Sequence, residues 1–208
     1  EPIKDFQKLS LLKLRLTTSS PTVITNSFQQ QVTRINDVTY SIVLSKKHRS
    51  GQKFDPILYT QKMGETARYP INSPKVISVL REILKEATTE NEKVWRLLAY
   101  VSNILLDDYK ASSEDAIQIL KRQRGDCTEH ALFFVTLARA AGIPAREASG
   151  LIYNNVEEKP GFAPHAWVEI VQNGQWVALD PTWRSRELAP IRITLGLTSL
   201  NIKHIKVE

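Results

Sequence analysis

The spacing of apolar and polar positions divides the chain into a strand-like beginning, a helical middle and a strand-like end. Leu12-Lys13-Leu14-Arg15-Leu16 alternates strictly, and Val38-Thr39-Tyr40-Ser41-Ile42-Val43-Leu44 is rich in β-branched and aromatic residues; with Val23-Ile24 these predict strands. Asn36-Asp37 stands where a hairpin would turn. From Thr60 to Pro74 the period lapses, with Gly64, Pro70 and Pro74 as punctuation, and a linker is expected. Helices follow. The first starts from a Ser73-Pro74 cap and carries Val76, Ile77, Val79, Leu80, Ile83 and Leu84. The second covers Val94 to Leu106. A third, short helix is expected from Ser112 or Ser113, with Glu114 and Asp115 in its first turn and Lys121 and Arg122 at its end, charges that suit the helix dipole. Ala131 to Ala141 is apolar almost all round, which predicts a buried helix ended by Gly142 and Pro144. Strands return at Arg146–Tyr153, His165–Gln172 and Gln175–Asp180, with Asn173-Gly174 as a two-residue turn in the last hairpin. The order predicts a small β-rich region ahead of an α+β core.

Composition changes this picture little. At 208 residues, 42% hydrophobic and 24% charged, the chain has the make-up of a folded domain with a sizeable core, not of a disordered, collagen-like or disulfide-framed protein. It holds no run of about eighteen apolar residues, so no membrane span is expected. The net charge of +6 is spread along the length among acidic residues. Its densest cluster, Lys121, Arg122 and Arg124, is explained by a helix end; no basic groove with interleaved aromatics is visible, and nucleic-acid binding is not expected. Residue 1 is Glu, so a preceding N-terminal piece is expected.

The chemistry begins at a single cysteine, Cys127, which rules out an internal disulfide and a zinc site built on Cys pairs. Most lone cysteines are core residues, but this one stands at a helix start. In Gly125-Asp126-Cys127-Thr128-Glu129-His130, Asp126 and Glu129 have the spacing of a capping box, and Gly125 allows a sharp turn into the helix. A helix N-terminus presents unpaired N–H groups and partial positive charge, which favour a thiolate and offer an oxyanion donor.

A cysteine nucleophile needs a base, and the base an orienting group. His130 shares the helix of Cys127 and is assigned to packing or support; His48 and His204 are assigned to the surface. His165 is different. A two-residue turn at Asn173-Gly174 pairs Gln172 with Gln175, sets His165 opposite Thr182 and Asp180 opposite Trp167, and leaves His165 and Asp180 as diagonal neighbours on one strand face. Ala166, Val168, Ile170, Val177 and Leu179 occupy the other face, which is expected to be the core side.

Three segments, Gly125-Asp126-Cys127 with the following helix and residues 138–146, His165-Ala166-Trp167-Val168-Glu169, and Trp176 through Trp183, together resemble the transglutaminase-like superfamily, in its bacterial-type domain. The resemblance covers roughly residues 70–190, in the order Cys, His, Asp; residues 1–60 carry no matching motif. It implies a papain-like α+β core, helices packed on an antiparallel sheet, in residues 67–208, after a β-rich region in residues 1–66. It also implies a Cys127–His165–Asp180 triad that works through a thioester on a peptide or protein substrate. Water as second nucleophile makes such an enzyme a peptidase or amidase; an amine makes it a cross-linker.

Relatives with zinc use Cys pairs, and relatives with calcium use acidic loops; neither pattern is present, so no metal or cofactor is expected. Tyr109, Asn103 and Trp95 are candidates for a second oxyanion donor. Trp167 and Trp183 are candidates for cleft walls, although packing is the commoner fate of such aromatics. The competing reading is a catalytically silent protein-binding module that keeps the fold and presents the β-rich region. A periplasmic or secreted location stands slightly ahead of the cytoplasm, and substrate choice is assigned to loops such as Tyr153–Pro164.

Overall fold

The alternation at Leu12–Leu16 becomes strand β1 (Leu11–Thr18), in which Leu12, Leu14, Leu16 and Thr18 are buried and the residues between them are exposed or half-buried. The computed structural model describes residues 3–46, 55–56, 59, 63–113, 115–154, 160–186, 188–195 and 202–208; His48 and Glu114 lie outside the described residues. The chain forms two compact units, each assembled from separated segments: residues 1–52, 149–165 and 188–208 in the first, residues 53–148 and 166–187 in the second.

In the first unit β1 pairs antiparallel with β3 (Thr39–Ser45), with Leu12 opposite Leu44, Leu14 opposite Ile42 and Leu16 opposite Tyr40. Buried side chains thus meet across the strands, each large one contributing about 1.5–3 kcal/mol relative to exposure. Asn36 and Asp37 occupy the expected turn, where the Ile35 N–H donates to the Thr39 carbonyl between β2 (Gln30–Arg34) and β3. The pair Val23-Ile24 is not a strand; Val23 is 81% exposed, and only Ile24 packs inward. Two further edges complete the sheet in the order β10-β1-β3-β2, where β10 is Ile202–Val207. Ile205 pairs with Leu16, so the chain end joins the sheet of the β-rich beginning. Ile152, Tyr153, Ile191 and Ile193 extend the same core.

The second unit holds helices α1 (Pro74–Leu84), α2 (Glu90–Ile104), α3 (Ala116–Arg122) and α4 (Cys127–Ala140). Helix α4 is buried from Glu129 through Ala138, as its all-round apolar sequence predicts. Around it pack Val76 and Leu80 of α1, Leu97, Leu98 and Val101 of α2, Ile119 of α3, and Val168, Ile170 and Leu179 from the strands. Those strands are β6 (Ala145–Asn154), β7 (Gly161–Gln172) and β8 (Gln175–Leu179), hydrogen-bonded in the order β8-β7-β6. The later residues of β6 belong to the first unit, where Leu151 pairs with Ile193 of β9 (Arg192–Thr194). Strand β7 begins at Gly161, four residues before the expected start, so Pro164 lies within a strand and not in a loop.

Helix boundaries depart from the periodicity where polar side chains set them. Ser73 makes no side-chain cap; its carbonyl accepts the Ile77 N–H, with Pro74 at the first helical position. Helix α3 starts at Ala116, not at Ser112 or Ser113, because the Asp115 carboxylate collects the N–H groups of Ile117 and Gln118. The stretch expected as a linker is tied down: Arg68 binds Glu147 at 2.9 Å, the Tyr69 hydroxyl donates to Glu147 at 2.5 Å, and Arg139 lies over the Tyr69 ring at 4.1 Å.

Helix α2 starts at Glu90, ahead of its apolar stripe, on a capping box of Thr89 and Glu92. The Glu92 carboxylate accepts from the N–H and hydroxyl of Thr88 and from the Thr89 N–H, which lowers its pKa from 4.5 to about 2. A carboxyl held below its unfolded value stabilises the fold above that value and loses the contribution as pH falls through the folded one. Glu92→Gln is therefore expected to flatten the acid limb of the stability curve between pH 4.5 and about 2. Urea melts across that range check it, and an unaltered acid limb would show that the box does not persist in solution.

Candidate active site

The segment ahead of Cys127 is held before the helix begins. Strand β5 (Arg124–Gly125) runs parallel to β4 (Leu106–Asp107), with the Leu106 N–H on the Gln123 carbonyl and the Asp108 N–H on the Gly125 carbonyl, both at 3.0 Å. Arg124 binds the Asp108 carboxylate at 3.0 Å and is the main cause of that group's lowered pKa.

Asp126 then caps α4, accepting the Thr128 N–H at 2.7 Å, while Glu129 reaches back to the Asp126 N–H at 3.0 Å. This is the capping box expected from the sequence. The structure adds a partner: the other Glu129 oxygen accepts the Ser113 N–H at 2.9 Å, so one buried carboxylate joins the approach to α3 with the start of α4. His130 is buried on the same turn, its Nδ1 2.7 Å from the Asp126 carbonyl. A carbonyl only accepts, so Nδ1 carries the proton, and His130 supports the cap as its sequence position suggested. Cys127, at the first position of α4, is half-buried and its thiol is free.

The hairpin keeps the expected register. Asn173 and Gly174 have φ of 52° and 74°, the left-handed pair of a type I′ turn, and Gln172 pairs with Gln175 through to Val168 with Leu179. Ala166, Val168, Ile170 and Leu179 lie in the core, with Val177 packed against it. Asp180 follows Leu179, is fully buried, and accepts the Thr182 N–H on Oδ1 at 3.1 Å. The chain turns there: Asp180 and Ser185 exchange two backbone hydrogen bonds of 2.9 Å, so the ladder is not carried on to Thr182 as expected. His165 is buried on β7, next to Ala166. Cys127 packs against the same hydrophobic cluster that contains Ala166 and Leu179, the chain neighbours of His165 and Asp180.

Several flanking contacts were not legible in the sequence. Arg146 binds the buried Glu169 carboxylate at 2.6 Å and lies 4.0 Å over the Trp176 ring. Burial raises the Glu169 pKa, and Arg146 opposes the rise. The Ser102 hydroxyl donates to the carbonyl of Pro181, the residue after Asp180, at 2.6 Å. Asn91, Trp95, Leu98 and Ser102 recur at helical spacing on α2; Trp95 and Leu98 belong to the expected apolar run, whereas the polar Asn91 and Ser102 fall outside an apolar count. Of the oxyanion candidates, Tyr109 is 87% exposed and follows Asp108, whose N–H binds Gly125; Asn103 and Trp95 are also exposed. Trp167 is packed, whereas Trp183 is half exposed.

Residues 77–181 match the family model of the transglutaminase-like superfamily, a span that includes Cys127, His165 and Asp180. Human kyphoscoliosis peptidase is 26% identical over 117 residues, which is 51% of this chain and 18% of that protein. A protein-glutamine gamma-glutamyltransferase of Pseudomonas aeruginosa is 40% identical over 82 residues, 35% of this chain and 12% of that protein. The chain thus spans less than a fifth of these relatives. Among solved structures, the periplasmic domain of TgpA from Pseudomonas aeruginosa superposes with a TM-score of 0.59 at 20% identity, over 85% of this chain and 71% of that one. A Cytophaga hutchinsonii protein described as a candidate cysteine protease gives a TM-score of 0.53 at 14% identity, over 96% of this chain and 85% of that one. These likenesses are of fold, mixed helices with antiparallel sheets of the papain-like kind. No helix among the described residues is long and apolar enough to cross a membrane. With half of its length matched by the family model, the chain belongs to the transglutaminase-like superfamily.

Proposed function

We propose that the chain is a thiol-dependent enzyme acting on peptide or protein amides, with Cys127 as nucleophile, His165 as general base and acid, and Asp180 as its orienter. The observation that carries the reading is the placement of Cys127 at the first position of a capped, buried helix, against the core that also holds the neighbours of His165 and Asp180. The Cys127 sulfur attacks the amide carbonyl carbon, forming the C–S bond, and the carbonyl oxygen takes negative charge that the Cys127 N–H stabilises. Collapse breaks the C–N bond, and His165 hands its proton to the departing amine. The thioester is then resolved by water, the main outcome proposed, or by an amine.

Tyr109 supports the oxyanion as second donor, since its segment is bonded to Gly125. By sequence the catalytic region is residues 67–208, and residues 1–66 are its β-rich companion. A periplasmic or secreted location is proposed with it, in keeping with the fold neighbour that is a periplasmic domain.

Iodoacetamide labelling and a panel of glutamine-containing peptides, with and without added amine, test the proposal. Cys127 is expected to alkylate at least about tenfold faster than in His165→Ala, because a paired cysteine has more thiolate character. Peptide turnover is expected to vanish in Cys127→Ala. Equal alkylation in both proteins, with no turnover on the panel, would leave the silent binding module as the reading.

A further inference from the structure

Beyond Pro181 the chain leaves the span matched by the family model and runs along α2. Four contacts anchor it. Ser102 holds the Pro181 carbonyl, Arg184 and Arg186 lie 5.7 and 4.4 Å from the Trp95 ring centroid, and the Arg186 guanidinium donates to the Asn91 side chain. Residues 91, 95 and 102 share one face of α2, so the loop is laid along about three helical turns.

Two features separate this place from ordinary surface. Of the other arginines of the same unit, Arg68, Arg96, Arg124 and Arg146 pair with a carboxylate, whereas Arg122 and Arg139 are held by the backbone carbonyls of Ser112 and Ala145. Arg184 and Arg186 have no carboxylate within 4 Å among the described residues; they share one aromatic face, with one Arg186 N–H group on Asn91 and the remaining N–H groups not engaged by a carboxylate. The Glu92 carboxylate, on the same helical turn as Asn91, is already taken by Thr88 and Thr89. The second feature is backbone strain: Arg184 has a φ of 52°, a left-handed conformation that costs a residue with a Cβ about 1–2 kcal/mol. Ser185, flanked by both arginines, is backbone-paired with Asp180. Such a pair sets Cα atoms about 5.5 Å apart and the next residue adds about 3.8 Å, so both arginine Cα atoms lie within about 10 Å of that of Asp180. Trp95 and Trp183, 41% and 51% exposed, supply apolar surface beside them.

The geometry points to a substrate subsite at Arg184, Arg186 and Trp95 that takes an acidic side chain of a peptide flanking the reacting amide. Two guanidinium forks held by stacking match carboxylate geometry without first breaking an ion pair, so binding leaves no buried charge unpaired. The subsite rests on the proposed acyl-transfer reading for its meaning, but its binding is measurable without catalysis.

The experiment uses the Cys127→Ala protein and two fluorescein-labelled peptides with one glutamine each, one flanked by aspartates and one by asparagines. Fluorescence anisotropy at low salt is expected to show the aspartate peptide binding at least about tenfold tighter, a preference that fades as salt screens the charges. Arg184→Gln with Arg186→Gln should abolish the preference, and Arg186→Lys should lose most of it because an ammonium lacks the fork. Lys85→Gln with Lys121→Gln, two exposed lysines elsewhere, should keep it.

Absence of a preference, its survival in the double arginine variant, or an equal loss in the lysine control would overturn the subsite, the last by showing attraction to net charge alone. Circular dichroism of the arginine variants confirms that they fold. Acid-selective binding with an inert Cys127 would sink the catalytic reading alone; turnover in the wild type with equal kcat/KM for both peptides would sink the subsite alone.

Discussion

Asp180→Asn is expected to lower amide turnover by about 10⁴-fold while leaving the protein folded. The structural side of this expectation comes from what an asparagine keeps. Its Oδ1 still accepts the Thr182 N–H, the two backbone bonds to Ser185 do not involve the side chain, and Ser102 still holds the Pro181 carbonyl. Side-chain volume is unchanged at a fully buried position, so packing is preserved. What is lost is the charge. In the proposed triad the carboxylate accepts from the imidazole, fixes the tautomer that leaves the other nitrogen free to take the thiol proton, and stabilises the imidazolium. An amide can present its NH₂ to the ring and select the wrong tautomer. The measurement is kcat and KM with the melting temperature on the same preparation. A fall confined to kcat, with the midpoint within about 3 °C of wild type, assigns Asp180 to orienting the base. Turnover within tenfold of wild type removes it from the triad, and a large fall in midpoint makes its role structural.

How far the sequence reaches is clearest where chemistry is local. Asn173-Gly174 dictates its own turn, because few residue pairs adopt two positive φ angles, and the hairpin register follows from that alone. Asp126 and Glu129 are three residues apart and form their box on one helical turn. The second Glu129 oxygen was beyond reach, since Ser113 arrives by tertiary folding.

Thr89 and Glu92 carry the same cap signature as Asp126 and Glu129, yet the apolar stripe begins only at Val94 and so points to a start four residues after the true one at Glu90. Strand β2 is largely polar and β10 mixes apolar residues with Lys and His without strict alternation; both are edge strands whose place depends on β3 and β1 being there to pair with. The turn after Asp180 follows the same logic. Asp-Pro signals a break, but that Ser185 returns to pair with Asp180, and that Arg184 enters the left-handed region to do so, is set by α2 beneath the loop.

Gly125→Ala should cost about 3 kcal/mol, a fall in melting midpoint of roughly 6–12 °C for a chain of this size. A methyl at residue 125 would overlap Cβ of Glu129 and lie 2.6 Å from its Cγ. Neither atom can yield cheaply: Cβ is fixed to α4, and Cγ leads to a carboxylate held by Asp126 at 3.0 Å and Ser113 at 2.9 Å. If β5 moves away instead, the bond from the Asp108 N–H to the Gly125 carbonyl is strained, and with it the β4–β5 pair. If Glu129 swings out, the Ser113 N–H is left buried without its acceptor, at about 1–3 kcal/mol. Combining the substitution with Glu129→Ala separates these routes. Glu129→Ala keeps the Cβ, so a clash against the helix persists in the double variant, whereas a cost transmitted only through the carboxylate would not add to that of Glu129→Ala alone. The same variant reports on Cys127, two residues along: if the cap sets the position of the thiol, its alkylation rate falls with the stability. A midpoint within about 2 °C of wild type would mean that the β5–α4 junction gives way, and that the cap does not hold Cys127 as rigidly as its hydrogen bonds imply.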